Sequence, residues 1–88
     1  MEICYSPTFI RLLKALPPAV REEAVERIEW FKRPDRRAAL KIHKLKGRLK
    51  GRLSFSVNYR FRVVFTYLRK NPRTAFLLAI GDHSVYDA

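Results

Sequence analysis

The chain has 88 residues, 48% of them hydrophobic, and a formal net charge of +11, which predicts one domain over residues 1–88 with a thin core. Its longest apolar runs, 63–65 and 75–80, are far too short to span a bilayer, and its N-terminus lacks the pattern of a signal peptide. A single cysteine excludes an internal disulfide, and no metal-ligand spacing occurs. We therefore expect a cytoplasmic protein that needs no metal or other cofactor.

The positive charge is concentrated in one part of the sequence. Residues 32–62 hold twelve of the nineteen lysines and arginines but one acidic residue, Asp35. The remaining segments hold seven basic and seven acidic residues and are neutral. A charge of one sign in one place indicates a polyanionic partner, and RNA is the partner we favour. The alternative is a solvated face that only keeps a small protein soluble.

The first third of the sequence predicts a short strand and two helices. Residues 2–5 are the strand candidate, and Ser6 followed by Pro7 is typical of a helix start. Apolar residues then recur at helical spacing on both sides of the pair 17–18, two prolines that separate the helices. These residues are Phe9, Leu12, Leu13 and Leu16 in the first helix and Val20, Ala24, Ile28 and Phe31 in the second. Two amphipathic helices in succession predict a helical hairpin.

After Pro34 the sequence predicts a basic loop. Residues 41–52 mix basic and aliphatic side chains, and Gly47 and Gly51 interrupt them, which argues against a long helix. Lysines on a loop suit an unoriented attraction to a phosphate backbone. The candidate RNA-binding side chains are Lys44, Lys46, Arg48, Lys50 and Arg52 in this stretch, together with Arg60 beyond it.

The second half of the sequence predicts three strands. Apolar residues alternate with other residues over 53–57 and 59–67, with a turn near Asn58 between them. A second turn at 71–72, which is Asn-Pro, leads to a strand over 74–80 that is apolar enough to lie inside a sheet. The predicted fold class is α+β, in the order β-α-α-β-β-β, with an antiparallel sheet that carries the helical hairpin on one face.

Two arginines and a histidine are the clearest candidates for a role in binding or chemistry. Arg60 and Arg62 alternate along one predicted strand and so are expected on one face, where planar guanidinium groups suit oriented recognition of a phosphate. His83 follows the last strand, and an imidazole gains and loses a proton near neutral pH, as a general acid or base must. An ordinary surface histidine is the alternative for His83.

Other residues with reactive or aromatic side chains are expected to be structural. We expect His43 to be a solvated residue of the basic loop, Trp30 to be buried at the end of the second helix and Cys4 to be a buried strand residue. Tyr86 is either a core aromatic or a stacking platform, and the sequence leaves both readings open.

The segment LKGRLKGRLSFSVNYRFRVVF at 45–65, the strand after it and the terminal GDHSVY resemble the RelE/ParE superfamily of toxins from bacterial toxin–antitoxin modules. The resemblance covers nearly the whole chain and implies an acidic antitoxin as partner. RelE- and YoeB-type members are ribonucleases that cut mRNA in the ribosome, using the RNA's own 2′-hydroxyl and no metal. ParE-type members instead poison DNA gyrase.

The resemblance also implies roles for individual residues. Arg62 matches the strand arginine that contacts the scissile phosphate, His83 the C-terminal histidine of YoeB-like members and Tyr86 the tyrosine of RelE-like members. Three positions that are often basic in the family are neutral here, namely Leu53, Phe55 and Ser56. We expect a ribosome-dependent mRNA endoribonuclease whose catalytic residues are Arg62, His83 and Tyr86. The alternatives are a ParE-like gyrase inhibitor and a non-catalytic RNA-binding relative.

Overall fold

Five strands and three helices form the part of the chain that the computed structural model describes, which is residues 1–70, 73–82 and 85. The helices are α1 (Pro7–Ala15), α2 (Pro18–Lys32) and α3 (Pro34–Arg37). The strands are β1 (Glu2–Tyr5), β2 (His43–Lys44), β3 (Leu53–Ser56), β4 (Arg62–Lys70) and β5 (Arg73–Gly81). The predicted α+β class is confirmed. Within the described residues, no helix combines the length and the apolar character that a membrane crossing requires.

The strands form one sheet in the order β1-β5-β4-β3-β2. The pairs β2–β3, β3–β4 and β4–β5 are antiparallel, whereas β1 runs parallel to β5. The sheet is therefore mixed, and the prediction of a purely antiparallel sheet was wrong. The direction of β1 relative to β5 depends on how the helices connect β1 to the rest of the sheet, and local sequence pattern does not encode this. The two-residue strand β2 was also not predicted, because it lies within the predicted basic loop.

Ser6 joins the first strand to the first helix and ties both to the sheet. Its Oγ accepts a hydrogen bond from the backbone N–H of Phe9 at 2.9 Å, which is the predicted helix cap. The same hydroxyl donates to the carbonyl of Leu78 at 2.9 Å, and the Ser6 N–H donates to the carbonyl of Leu77 at 3.0 Å. The start of α1 is therefore fixed on β5.

Three phenylalanine rings hold helix α2 on the sheet. The ring of Phe31 lies 4.9 Å from that of Phe55 and 4.8 Å from that of Phe65, measured between centroids, and all three are fully buried. Phe9 of α1 and Val63 of β4 belong to the same buried cluster. Both N-terminal helices therefore contribute to one core, which covers one face of the sheet.

Cys4, which we expected to be buried, is exposed. Its neighbour Ile3 packs partly against the core. Because successive side chains of a strand point to opposite faces of the sheet, Cys4 faces away from the helices. The strand was predicted correctly, but its inward-facing residue was assigned to the wrong position.

Replacing Phe31 with alanine should lower the free energy of unfolding by about 3–5 kcal/mol, because the mutation removes a fully buried ring and leaves a cavity between two others. The matched control is Val25→Ala on the same helix, where the side chain is 49% exposed and the change should stay within about 0.5 kcal/mol. Urea denaturation measures both. Equal losses in the two variants would contradict this account of the core.

Candidate nucleic-acid interface

Arg62 begins β4 and lies on the sheet face opposite the aromatic core. It pairs with Ser56 of β3, and side chains of directly opposite residues share a face. Two residues earlier on β3, Ser54 shares this face and pairs with His43 of β2. The face opposite the helices thus carries the predicted phosphate-binding arginine beside small hydroxyl side chains.

The β3–β4 turn holds the guanidinium of Arg62 in place through Asn58. Nη1 of Arg62 donates to the carbonyl of Phe61 at 3.1 Å and also to the carbonyl of Asn58. The Asn58 side chain accepts the backbone N–H groups of Arg60 at 2.9 Å and of Phe61 at 2.8 Å. Its Nδ2 donates to Oε1 of Glu23 at 2.9 Å. One asparagine therefore fixes the turn, links it to α2 and orients the arginine.

A cleft of about 360 Å³ lies where α2, the segment before β2 and the β3–β4 turn meet. Three cationic residues from different parts of the chain line it, Arg27, Lys41 and Arg62, and no acidic side chain is among its described lining. Trp30 also lines the cleft and is half-buried rather than buried as expected, with the guanidinium carbon of Arg27 4.2 Å from its ring centroid. Such a cleft suits an anionic group such as a phosphate.

The prediction that Arg60 and Arg62 share one strand face was wrong. The hydrogen bonds of the Asn58 side chain extend the turn to Phe61, so β4 begins at Arg62 instead of Tyr59. Arg60 is consequently an exposed turn residue whose guanidinium lies 5.5 Å from the ring centroid of Phe61. Tyr59 is 90% exposed and lines the cleft.

The basic loop predicted over 41–52 is present in part: His43 and Lys44 form β2, and residues 45–52 form the loop between β2 and β3. Gly47 and Gly51 have φ angles of 68° and 92°, which glycine adopts without strain, so these residues shape the loop as expected. The N–H of Leu45 donates to the carbonyl of Arg52 at 2.9 Å and closes it. All five candidate side chains are exposed: Lys44, Lys46, Arg48, Lys50 and Arg52. This loop lines a second pocket, of about 520 Å³.

His43 is exposed, as expected, but it lies on strand β2 and not in a loop. Its Nδ1 is 3.2 Å from the carbonyl of Lys41 and its Nε2 is 3.3 Å from Oγ of Ser54. Because a carbonyl only accepts, this geometry assigns the proton of the neutral ring to Nδ1. His43 therefore lies on the same sheet face as Arg62, with its ring held between Lys41 and Ser54. A strand of two residues has no periodicity from which the sequence could reveal it.

Two of the three predicted catalytic residues, His83 and Tyr86, lie outside the described residues, as does the predicted turn at 71–72. The described part of β5 ends close to Arg62, since Gly81 pairs with Arg62 across the β4–β5 ladder. Beyond this point the sequence-based assignment of the C-terminal residues stays a prediction.

No protein-family model and no curated protein matches the sequence, but several solved structures share its architecture. The YoeB/ParE toxin from Agrobacterium tumefaciens superposes with a TM-score of 0.74 at 18% identity, covering 94% of this chain and 99% of that one. A chain of the toxin–antitoxin complex RelBE2 from Mycobacterium tuberculosis gives 0.70 at 23% identity, with 93% and 96% covered. A chain of the YoeB–YefM complex from Staphylococcus aureus gives 0.69 at 22%, with 94% and 97% covered.

The fold is that of the RelE/ParE toxins. Both chains are covered almost completely in each comparison, so the likeness extends beyond a shared hairpin or sheet. In this RelE-like fold, the sequence motif around Arg62 forms the β3–β4 turn and the first residues of β4. The resemblance seen in the sequence and the architecture therefore agree.

Replacing Asn58 with alanine should destabilise the protein by roughly 1–2 kcal/mol, because the side chain makes three hydrogen bonds that organise the turn. Glu23→Ala removes the bond to α2 alone and should cost less. Thermal or urea denaturation of both variants measures the difference. A Glu23→Ala variant that loses as much stability as Asn58→Ala would show that the Asn58 hydrogen bonds to the turn backbone contribute little.

Proposed function

We propose that the chain is the toxin of a bacterial toxin–antitoxin module and acts as a ribosome-dependent endoribonuclease that cleaves mRNA. The observation that carries the proposal is Arg62, held by the β3–β4 turn on the face of a RelE-like sheet opposite the aromatic core and lining a cleft with two further cations. A fixed, permanently charged, planar donor group is what recognition of a phosphate in one orientation requires.

The proposed reaction uses the RNA's own 2′-hydroxyl. Its oxygen bonds to the adjacent phosphorus while the bond from phosphorus to the 5′-oxygen breaks, which leaves a cyclic phosphate and a free 5′-hydroxyl. Arg62 stabilises the charge that grows on the phosphoryl oxygens. One group takes the proton of the 2′-hydroxyl and another protonates the 5′-oxygen. We assign these transfers to His83 and Tyr86, with His43 as a further candidate because it shares the sheet face of Arg62.

The remaining charge suits the partners that this function needs. The exposed cations of the loop between β2 and β3 would attract the phosphate backbone of mRNA and ribosomal RNA without orienting it. An acidic antitoxin would neutralise the same surface in the cytoplasm. Two of the solved structures with this fold are complexes, RelBE2 as a toxin–antitoxin complex and YoeB with YefM, which supports an antitoxin as partner.

A second candidate function is inhibition of DNA gyrase by a ParE-like toxin. It is favoured by the neutral side chains Leu53, Phe55 and Ser56, of which Phe55 is fully buried in the core and therefore is unable to contact a ligand. A non-catalytic RNA-binding relative fits the same observation. Under the ribonuclease proposal, by contrast, activity depends on Arg62 without the supporting cations that related sequences often carry on strand β3.

Induction of the chain in a bacterial host, followed by mapping of mRNA 5′ ends, separates these functions. We expect growth arrest and new 5′ ends within translated reading frames, and we expect Arg62→Ala to abolish both while remaining folded. Arg11→Ala is the matched control, since this arginine is exposed on α1, is not among the candidate binding residues and should retain full activity. Gyrase-linked DNA breaks without new mRNA ends would reject the nuclease in favour of the ParE-like function.

A further inference from the structure

We propose that Tyr59 is a stacking platform for a base of single-stranded RNA, and that the cleft beside it holds a neighbouring phosphate of the same strand. This inference rests on the proposed function for its substrate class and adds the residue that positions the nucleotide. Tyr59 was predicted to be an ordinary strand residue, and the structure instead places it at the tip of the β3–β4 turn.

The exposure of Tyr59 is the first observation. Its 90% exposed surface exceeds that of every other exposed large hydrophobic residue described, the next being Leu68 at 56%. No aromatic or cation–π contact to its ring is present among the described residues. The ring therefore contributes no packing to the core and is free to meet a ligand.

The rigidity of the turn is the second observation. The Asn58 side chain accepts the N–H groups of the two residues after Tyr59, and the N–H of Val57 donates to the carbonyl of Phe61 at 2.9 Å. The backbone on both sides of Tyr59 is thus hydrogen-bonded. A ring presented on a fixed turn loses little conformational freedom on binding, which makes it an effective contact.

The surroundings of Tyr59 identify the ligand class. The cleft that it lines contains Arg27, Lys41 and Arg62, and its described lining has no acidic side chain. Trp30, the other aromatic side chain of the cleft, already has the guanidinium of Arg27 against it. An open aromatic ring beside cations matches a single-stranded nucleotide, which offers a base to stack and phosphates to neutralise.

A protein partner fits this cleft less well than a nucleotide. The pocket enclosed by the loop between β2 and β3 is lined mainly by apolar atoms, including those of Leu45 and Leu53, as an anchor for a protein side chain would be. The cleft at Tyr59 is lined mainly by polar atoms. We therefore assign the cleft to RNA.

A short single-stranded RNA that carries 2-aminopurine tests the inference, because stacking on an aromatic ring quenches the fluorescence of this base. The protein is titrated without ribosomes. Tyr59→Leu should abolish the quenching and weaken binding about tenfold or more, whereas Tyr59→Phe should retain both, since stacking needs the ring and not the hydroxyl. Tyr5→Leu, on the far edge strand β1, is the matched control and should bind as the wild type does.

Equal quenching by wild type and Tyr59→Leu would overturn the inference, as would a Tyr59→Phe variant that binds as poorly as Tyr59→Leu. A Tyr59→Leu variant that loses antitoxin binding but keeps RNA binding would assign the residue to a protein contact instead. The result of this binding test is independent of the test for nuclease activity. A chain that stacks RNA through Tyr59 but makes no cuts in mRNA would remove the nuclease and leave the stacking site.

Discussion

The contact of Phe31 with Phe55 and Phe65 is the constraint on which the rest of the structure depends. It fixes the rotation and height of α2 on the sheet. Since neighbouring positions on a helix point in defined directions, the same contact places Arg27 at the edge of β3, where the cleft forms. On the strands, burial of Phe65 and Val63 turns Arg62 to the opposite face by alternation.

Residue type and hydrophobic periodicity over short stretches of sequence were sufficient to predict the elements that are stabilised locally. The cap at Ser6, the apolar stripe that includes Phe31 and the turn at Asn58 each depend on residues within a few positions of one another. The parallel pairing of β1 with β5 and the two-residue strand at His43 depend on contacts across the chain. Local pattern carries no information about such contacts, and these features were missed.

The candidate site also combines a feature that is local in sequence with contacts between distant parts of the chain. Arg62 was recognisable because its motif is continuous in sequence, whereas Arg27 and Lys41 looked like residues of a helix surface and a loop. In the fold they line one cleft with Arg62, and a hydrogen bond between Glu23 and Asn58, which are 35 residues apart, links α2 to the β3–β4 turn there. Glu26 forms an ion pair with Arg27, and the repulsion that remains among the three cations is reduced by surface exposure and would be removed by a bound polyanion.

The single-turnover rate of cleavage of ribosome-bound mRNA, measured together with the affinity for the ribosome, tests most directly whether Arg62 stabilises the transition state. Arg62→Ala should lower the rate by roughly 10²- to 10³-fold and leave affinity nearly unchanged, because the lost interaction strengthens as charge develops on the phosphate. Arg62→Lys should recover part of the rate, since it restores charge without the planar fork. An Arg62→Ala protein that cleaves at the wild-type rate would contradict the account.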